Sequence, residues 1–229
     1  AYDMPTAINA GDAMLALAFE MIAESADIKD EVMRDLVRVI GRMVRKVSEG
    51  QQMDMDFENR SDGVSEAEYI TMISGKTAAM FETCAQTGAM LAGASEGIQE
   101  TCRLWGLETG LCFQLMDDLI DITGDTETLG KPAGSDVLEG KRTLMAIHAL
   151  NQDPSNLPTF HSIFGKGESG STELPQAIAE MEAVGSLEYG RKRAMEHHAE
   201  AHGHLSKLED SPAKTVLQGL TDWQLERMS

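Results

Sequence analysis

Three aspartates near the middle of the chain have the spacing of a metal-binding helix face. They are Asp117, Asp118 and Asp121. In a helix, Asp117 and Asp121 would project within about 40° of each other, with Asp118 beside them. Like charges at this spacing destabilise a helix. Because their neighbours are mostly apolar, the three carboxylates predict a bound cation, and hard oxygen ligands of this kind suit Mg²⁺.

Basic residues follow this acidic segment at short range. Lys131, Lys141 and Arg142 lie beyond it, around a stretch rich in Gly and Pro. In so acidic a chain, this juxtaposition indicates a diphosphate held between lysine ammonium groups and Mg²⁺, since Lys acts as a point-charge ligand of phosphate.

A further basic point is the pair Lys76-Thr77, inside an apolar helical pattern. Together with the preceding Gly75, the pair superficially resembles the end of a P-loop motif. That interpretation fails because position 70 is Ile70 rather than glycine and no strand precedes the pair. A Lys-Thr pair in such surroundings still predicts an anionic partner.

Composition excludes several classes of function. The 229 residues carry 19 Lys+Arg against 38 Asp+Glu, a formal net charge of −19. This charge argues against nucleic-acid binding and against docking on anionic membrane, which both need clustered cations. A small anionic ligand stays possible, because a pocket can be locally basic. Cys84, Cys102 and Cys112 lack paired spacing and predict reduced, mostly buried thiols in a cytoplasmic protein. No uncharged apolar run is long enough to predict a membrane span.

Helical periodicity covers nearly the whole chain, and no segment alternates convincingly as a strand. We therefore predict an all-α helical bundle in a single domain, residues 1–229. Ser65 and Glu68 predict a capping box at one helix start. The predicted helices are 5–23, 28–56, 65–92, 97–123, 136–150, 173–208 (with a break near Gly185 or Gly190) and 212–228.

Several motifs together are similar to a known family. The segment Phe113-Gln114-x-x-Asp117-Asp118-x-x-Asp121, followed by Gly130-Lys131-x-x-Gly134-Ser135-Asp136 and Glu139-Gly140-Lys141-x-Thr143, resembles the second aspartate-rich region of trans-isoprenyl diphosphate synthases, the polyprenyl synthetases. Three further elements occur in the family's order: the segment 7–15 around Asn9-Ala10-Gly11-Asp12, Gly50-Gln51-x-x-Asp54, and Lys76-Thr77. The match spans residues 7–144.

The resemblance implies an isoprenoid-synthase-type bundle and a reaction. Family members ionise an allylic diphosphate, and the carbocation alkylates isopentenyl diphosphate with loss of a proton. The implied cofactor is Mg²⁺, the implied products are short-chain trans-prenyl diphosphates, and the implied assembly is a homodimer.

The resemblance also implies residue roles. Asp117 and Asp121 would ligate Mg²⁺, and Asp118 would ligate it or orient a metal-bound water. Lys76, Lys131 and Lys141 would bind the allylic diphosphate. Thr77 and Gln114 would hold neighbouring oxygens or the carbocation side, with Gln51 and Asp54 behind them. Phe113, Met80 and Phe81 could line a prenyl tunnel, although core packing is the favoured interpretation of all three.

One feature of the family is not present in this sequence. The family has two facing aspartate clusters, and the first would lie upstream of Ala1; no second DDxxD occurs in these residues. We therefore expect a fragment of an active synthase, lacking its N-terminal helices, and the alternative is a natural short paralogue. The chain as it stands is expected to show little condensing activity.

Two other functional hypotheses stay open. One is a non-catalytic regulatory or scaffold subunit of a heteromeric synthase. The other is a different all-α, Mg²⁺-dependent diphosphate enzyme, such as a relative of terpene cyclases or squalene synthase, although the Lys-Thr pair and the glycine-rich loop speak against it.

A histidine pair near the end of the chain has the spacing of metal ligands. His198 and His202 are four residues apart, as in zinc-binding helices. Because no third ligand stands at a fixed spacing, we interpret the pair as part of a solvated helix face.

Overall fold

Helices and turns make up the structure, a computed structural model that describes residues 3–58, 60, 62–124 and 133–226, and these residues include no strand. The all-α prediction is therefore confirmed. The helices are α1 Met4–Ala23, α2 Asp30–Glu58, α3 Glu66–Ile73, α4 Ala79–Leu91, α5 Glu96–Thr123, α6 Ser135–Glu139, α7 Leu144–Leu150, α8 Pro158–Ile163, α9 Leu174–Ala183, α10 Ser186–Leu205 and α11 Pro212–Glu226.

The long helix α5 is central to the bundle. It packs against α4 on one side and α10 on another, and α7 also contacts it. Its side chains Leu115, Met116 and Leu119 are almost completely buried. The acidic segment is thus the continuation of a core helix, and this position fixes the direction in which its carboxylates project.

Most predicted helix boundaries hold to within two residues, because local capping sets them. The predicted capping box is present: the Ser65 side chain accepts from the Glu68 backbone, and the Glu68 carboxylate accepts from the Ser65 backbone. The predicted break in the segment 173–208 lies at Gly185, whose φ is +79°. A residue with a side chain rarely adopts this left-handed conformation, so glycine ends the helix there.

One predicted helix is wrong, and one helix of the structure was not predicted. The segment 136–150 forms two helices rather than one, because Gly140 has φ +77° and separates α6 from α7. Helix α8 has no counterpart among the predicted helices, since its six residues are too few to show a periodic pattern.

The predicted helix 65–92 contains a π-helical turn, Ser74–Ala78, between α3 and α4. Such turns insert one extra residue into a helix and are frequent at functional sites. This turn carries the Lys76-Thr77 pair. It lies against α2 at two glycines: a Cβ added at Gly50 would come within 2.2 Å of the Lys76 backbone nitrogen, and one at Gly75 within 2.8 Å of the Lys46 carbonyl oxygen. Only residues without a side chain allow this contact between the two backbones.

Among the described residues, one helix is long and apolar enough to cross a membrane, judged by length and composition alone. It is α1, none of whose residues is buried and which contacts α2. A solitary helix of this kind is weak evidence, since core helices of soluble proteins meet the same criteria. The absence of a membrane span stays a prediction.

All three cysteines are free, as expected. Cys112 is buried and Cys102 partly so, whereas Cys84 is exposed.

Glycine at position 50 is expected to be required for stability. The change Gly50→Ala would force the Cβ against backbone atoms of the π turn, which cannot rotate away, so we expect it to lower the free energy of unfolding by about 1–3 kcal/mol or more. Gly41→Ala, on the same helix with no atom within 4 Å of the added Cβ, is the matched control. It should stabilise by about 0.5–1 kcal/mol, because alanine favours a helix interior. Urea denaturation measures both, and equal stability of the two variants would contradict this packing.

Candidate active site

A cavity of about 220 Å³ lies where α2, α3, the π turn, α5 and the segment 136–143 meet. Its charged lining comprises four carboxylates and three cations, and its apolar wall is formed by Met72 and Ile73. The remaining lining residues are neutral and polar. The charged residues are Asp54, Asp117, Asp118, Asp136, Lys76, Lys141 and Arg142, and the neutral polar ones are Tyr69, Gln114 and Thr143.

Asp118 is held in place by two neutral donors. It is 7% exposed. The Tyr69 hydroxyl donates to its Oδ2 at 2.6 Å, and Gln114 Nε2 donates to its Oδ1 at 2.7 Å. The Thr77 hydroxyl in turn donates to Gln114 Oε1 at 2.6 Å, so this network fixes the orientation of the amide. These hydrogen bonds connect the π turn, α3 and α5 through the Asp118 carboxylate and the Gln114 amide.

The pKa of Asp118 is raised to about 7, because burial disfavours the charged form. Hydrogen bonds from Tyr69 and Gln114 oppose this shift, whereas the nearby charges of Asp136 and Asp117 add to it. Burial also raises the pKa of Tyr69 well above its usual value, so the phenol stays neutral and donates.

A divalent cation suits this group of carboxylates. Asp118 is a buried carboxylate whose two described hydrogen-bond donors are neutral, and Asp117, on the same helix, is exposed and lines the same cavity. Carboxylate oxygens in an open, water-accessible arrangement are what Mg²⁺ prefers. The residues present therefore fit the predicted metal.

Lys76 lies opposite these carboxylates. Its Nζ is 2.5 Å from Asp54 Oδ2 on α2. Asp54 lies one helical turn beyond Gly50, so the close approach of the two backbones at that glycine brings the ammonium and the carboxylate together.

Lys141 enters the cavity from the turn that follows the short helix α6. Its Nζ is 2.7 Å from Asp136 Oδ1 and 3.0 Å from Glu139 Oε2. Burial works against its charge, but the hydrogen bonds that the ammonium donates to Asp136 and Glu139 outweigh this, and the pKa of Lys141 is raised above its usual value. Left-handed Gly134 and Gly140 flank α6, and a Cβ on Gly140 would come within 2.9 Å of the Gly165 Cα. These glycines therefore set where Lys141 lies.

Asp121 occupies a different position from the other two aspartates. It is buried, does not line the cavity, and accepts hydrogen bonds from the Ser135 hydroxyl and the Asp136 backbone nitrogen, both at 3.1 Å. It thus anchors the first turn of α6. The structure brings Asp117 and Asp118 to the cavity and places Asp121 beneath α6, and the predicted role of Asp121 as a metal ligand stays a prediction.

The other predicted residues are placed as follows. Gln114 lines the cavity, while Thr77 lies behind it. Lys131 lies outside the described residues. Phe81 and Phe113 pack on each other, with ring centroids 5.3 Å apart, and do not line the cavity. Met80 is about half exposed and Gln51 is exposed, and neither lines the cavity.

Sequence reasoning gave no role to Tyr69 or Asp136, and it named Arg142 only among the basic residues that follow the acidic segment. Tyr69 lies two helical turns before Lys76, and this spacing is the sequence signal that could have indicated Tyr69 as part of the same site. Arg142 stacks over the Phe164 ring at 5.1 Å and donates to the Arg60 carbonyl oxygen at 3.5 Å. No local pattern indicates these long-range contacts.

Comparisons with known proteins match this chain to a single kind of protein. The family model described as polyprenyl synthetase matches residues 1–181. A geranylgeranyl pyrophosphate synthase of Geoglobus acetivorans is 37% identical over 99% of this chain and 68% of its own length.

Solved structures give the same result. The geranylgeranyl pyrophosphate synthetase of Pyrococcus horikoshii superposes with a TM-score of 0.89 at 35% identity, over 98% of this chain and 68% of that one. A polyprenyl synthase of Caulobacter crescentus, complexed with calcium and isoprenyl diphosphate, has a TM-score of 0.86 at 28% identity, over 98% of this chain and 67% of that one. The chain spans about two thirds of the length of these proteins.

The Tyr69 hydroxyl is expected to be required for the geometry of Asp118. In Tyr69→Phe the buried carboxyl loses a donor, which should lower the free energy of unfolding by about 1.5–3 kcal/mol. It should also weaken the binding of Mg²⁺ measured by calorimetry. Tyr189→Phe is the control, because its hydroxyl contacts Glu66 at 2.5 Å and does not line the cavity. That variant should bind Mg²⁺ as the unmodified protein does, whatever its effect on stability. Unchanged metal binding in Tyr69→Phe would contradict the assigned role.

Proposed function

Since the chain belongs to the polyprenyl synthetase family of prenyltransferases, we propose that its cavity binds an allylic diphosphate together with Mg²⁺. The observation that carries this proposal is the convergence of Asp117 and Asp118 with Lys76 and Lys141 on one cavity. The reaction is condensation of isopentenyl diphosphate with the allylic diphosphate to give short-chain trans-prenyl diphosphates.

Charge balance supports the requirement for Mg²⁺. The lining carries four carboxylates but three cations, and Lys76 and Lys141 are already paired with Asp54 and Asp136. An incoming diphosphate adds to an excess of negative charge that these side chains cannot neutralise. A related polyprenyl synthase is complexed with calcium and isoprenyl diphosphate, which supports a divalent cation in this role.

The residues of the chain would act on the leaving group and on its surroundings. Lys76 and Lys141 would donate to diphosphate oxygens and so stabilise the charge that develops as the allylic C–O bond breaks. Asp117 and Asp118 would hold Mg²⁺, which would supply further neutralisation of the same oxygens.

The allylic carbocation also needs an environment without water. Met72 and Ile73 are buried and form an apolar wall beside the carboxylates and the amide of Gln114. We assign this wall to shielding the cation until the double bond of isopentenyl diphosphate attacks it. Diphosphate has by then left with the electron pair of the broken C–O bond, and a proton lost from the adduct restores a double bond.

Two further features belong to this proposal. The three free cysteines support a reducing, cytoplasmic location. Exposed apolar side chains along α1, among them Met14, Leu17 and Met21, support the homodimer that the family resemblance implies.

A product assay tests the function. Protein expressed from the complete reading frame that contains these residues is incubated with labelled isopentenyl diphosphate, dimethylallyl diphosphate and Mg²⁺, and the products are dephosphorylated and separated by chromatography. We expect short-chain prenols, dependent on Mg²⁺. Mg²⁺-dependent binding of dimethylallyl diphosphate without any product would instead indicate a non-catalytic subunit. Absence of both binding and product would overturn the proposal.

Replacement of Lys141 should weaken substrate binding. Lys141→Gln removes one charge-assisted contact, so we expect dimethylallyl diphosphate to bind about 10- to 100-fold more weakly by calorimetry in the presence of Mg²⁺. Lys192→Gln, which removes an exposed lysine on α10, should bind as the unmodified protein does. Circular dichroism verifies that both variants are folded. Equal affinity of the two variants would contradict the placement of the diphosphate.

A further inference from the structure

The last two described helices bring together three side chains that can bind a metal. His198 and His202 lie on α10, and Asp222 lies on α11. We propose that these residues form a binding site for a divalent transition metal, with Zn²⁺ the best fit, which links α11 to α10. The proposal is independent of the prenyltransferase function.

The donor atoms of the three side chains converge on a single point. His198 Nε2 is 3.1 Å and His202 Nε2 is 2.7 Å from the same oxygen, Asp222 Oδ1. The imidazole rings meet edge to face, with centroids 4.7 Å apart. One ligand atom from each of the three residues lies within 4.8 Å of the others. Sequence reasoning found no third ligand because Asp222 is on a different helix.

These distances are compatible with zinc coordination. Donors around a tetrahedral Zn²⁺ at ~2.0–2.1 Å lie ~3.3–3.4 Å apart. His198 Nε2, at 3.1 Å from Asp222 Oδ1, is already near this separation, and His202 Nε2, at 2.7 Å, would move outward by about 0.6 Å. Each imidazole would bind through a neutral Nε2, with its proton on Nδ1. The Asp222 side chain is 53% exposed, so water can complete the coordination sphere. The two imidazole donors favour Zn²⁺ over Mg²⁺, which prefers oxygen ligands.

Buried contacts fix Asp222 in this position without a metal. The adjacent Thr221 is 1% exposed, and its hydroxyl accepts a hydrogen bond from Trp105 Nε1 of α5 at 2.9 Å. Gln224, two residues beyond Asp222, is also 1% exposed. The register of α11 against α5 is thus set by its buried face, and the carboxylate on its other side points at the two imidazoles. A site arranged in advance loses little conformational freedom on binding.

Other histidines on α10 are engaged differently. His197 Nδ1 is 2.7 Å from Glu108 Oε2 of α5, and His204 lies beside Lys207 at 3.4 Å. Neither belongs to the cluster. His204 therefore provides a matched control on the same helix.

Zinc titration of the untagged protein tests the proposal. Calorimetry is performed with excess Mg²⁺, which occupies the carboxylates near Asp118. We expect saturable binding of one Zn²⁺ per chain and a rise of several degrees in the melting temperature. Asp222→Asn and His198→Gln should each weaken zinc binding by more than about tenfold. Loss of a residue that only supports a metal ligand already costs about tenfold, and loss of a ligand itself should cost more. His204→Gln should bind as the unmodified protein does.

A second measurement locates the metal. Substitution with Co²⁺ should give a visible absorption spectrum typical of four-coordinate nitrogen and oxygen ligation, and Asp222→Asn should abolish it. Melting temperatures without metal confirm that each variant is folded. Equal zinc affinity in Asp222→Asn, His204→Gln and the unmodified protein would place the metal elsewhere, for instance at Cys84, and would overturn the proposal. Absence of saturable binding would also overturn it.

Discussion

The structure of the site depends on one buried carboxylate. Asp118 is surrounded by core side chains of α5, so its charge has lost most of its hydration, and the pKa is raised to about 7. Tyr69 and Gln114 hold both of its oxygens but carry no charge. The desolvated carboxylate therefore favours an external cation. A helix that continues the core explains how acidic residues can stand close together in a mostly apolar segment.

The cationic side of the site depends on close backbone contacts. Gly50 and Gly75 let α2 lie directly against the π turn, and this contact brings Lys76 to Asp54. Gly140 has a different function, because its left-handed conformation ends α6 and sends Lys141 back toward Asp136. Both lysines are paired with carboxylates in the protein alone. Under the proposed function a bound diphosphate would have to share them, and a metal would provide the remaining positive charge.

Much of this arrangement was predictable, and the exceptions have physical reasons. The helical period, the capping box at Ser65 and the break at Gly185 are local properties, and the structure confirms them. The spacing of the aspartates predicted one acidic face. The structure instead separates Asp121, because the first turn of α6 packs against that carboxylate and donates two hydrogen bonds to it. Helical spacing alone cannot show which carboxylate of the face is covered by a neighbouring segment and which stays open to the cavity.

The sequence by itself determined the all-α class and the family, and it predicted a chemistry of diphosphate and metal, because these depend on residue types at fixed spacings along the chain. Tertiary structure alone decided which groups share a cavity. Tyr69 and Asp118 are 49 residues apart and meet at 2.6 Å, and His198 and Asp222 meet across two helices at 3.1 Å. Such contacts depend on which helices pack together and in which register. Local periodicity does not encode either property.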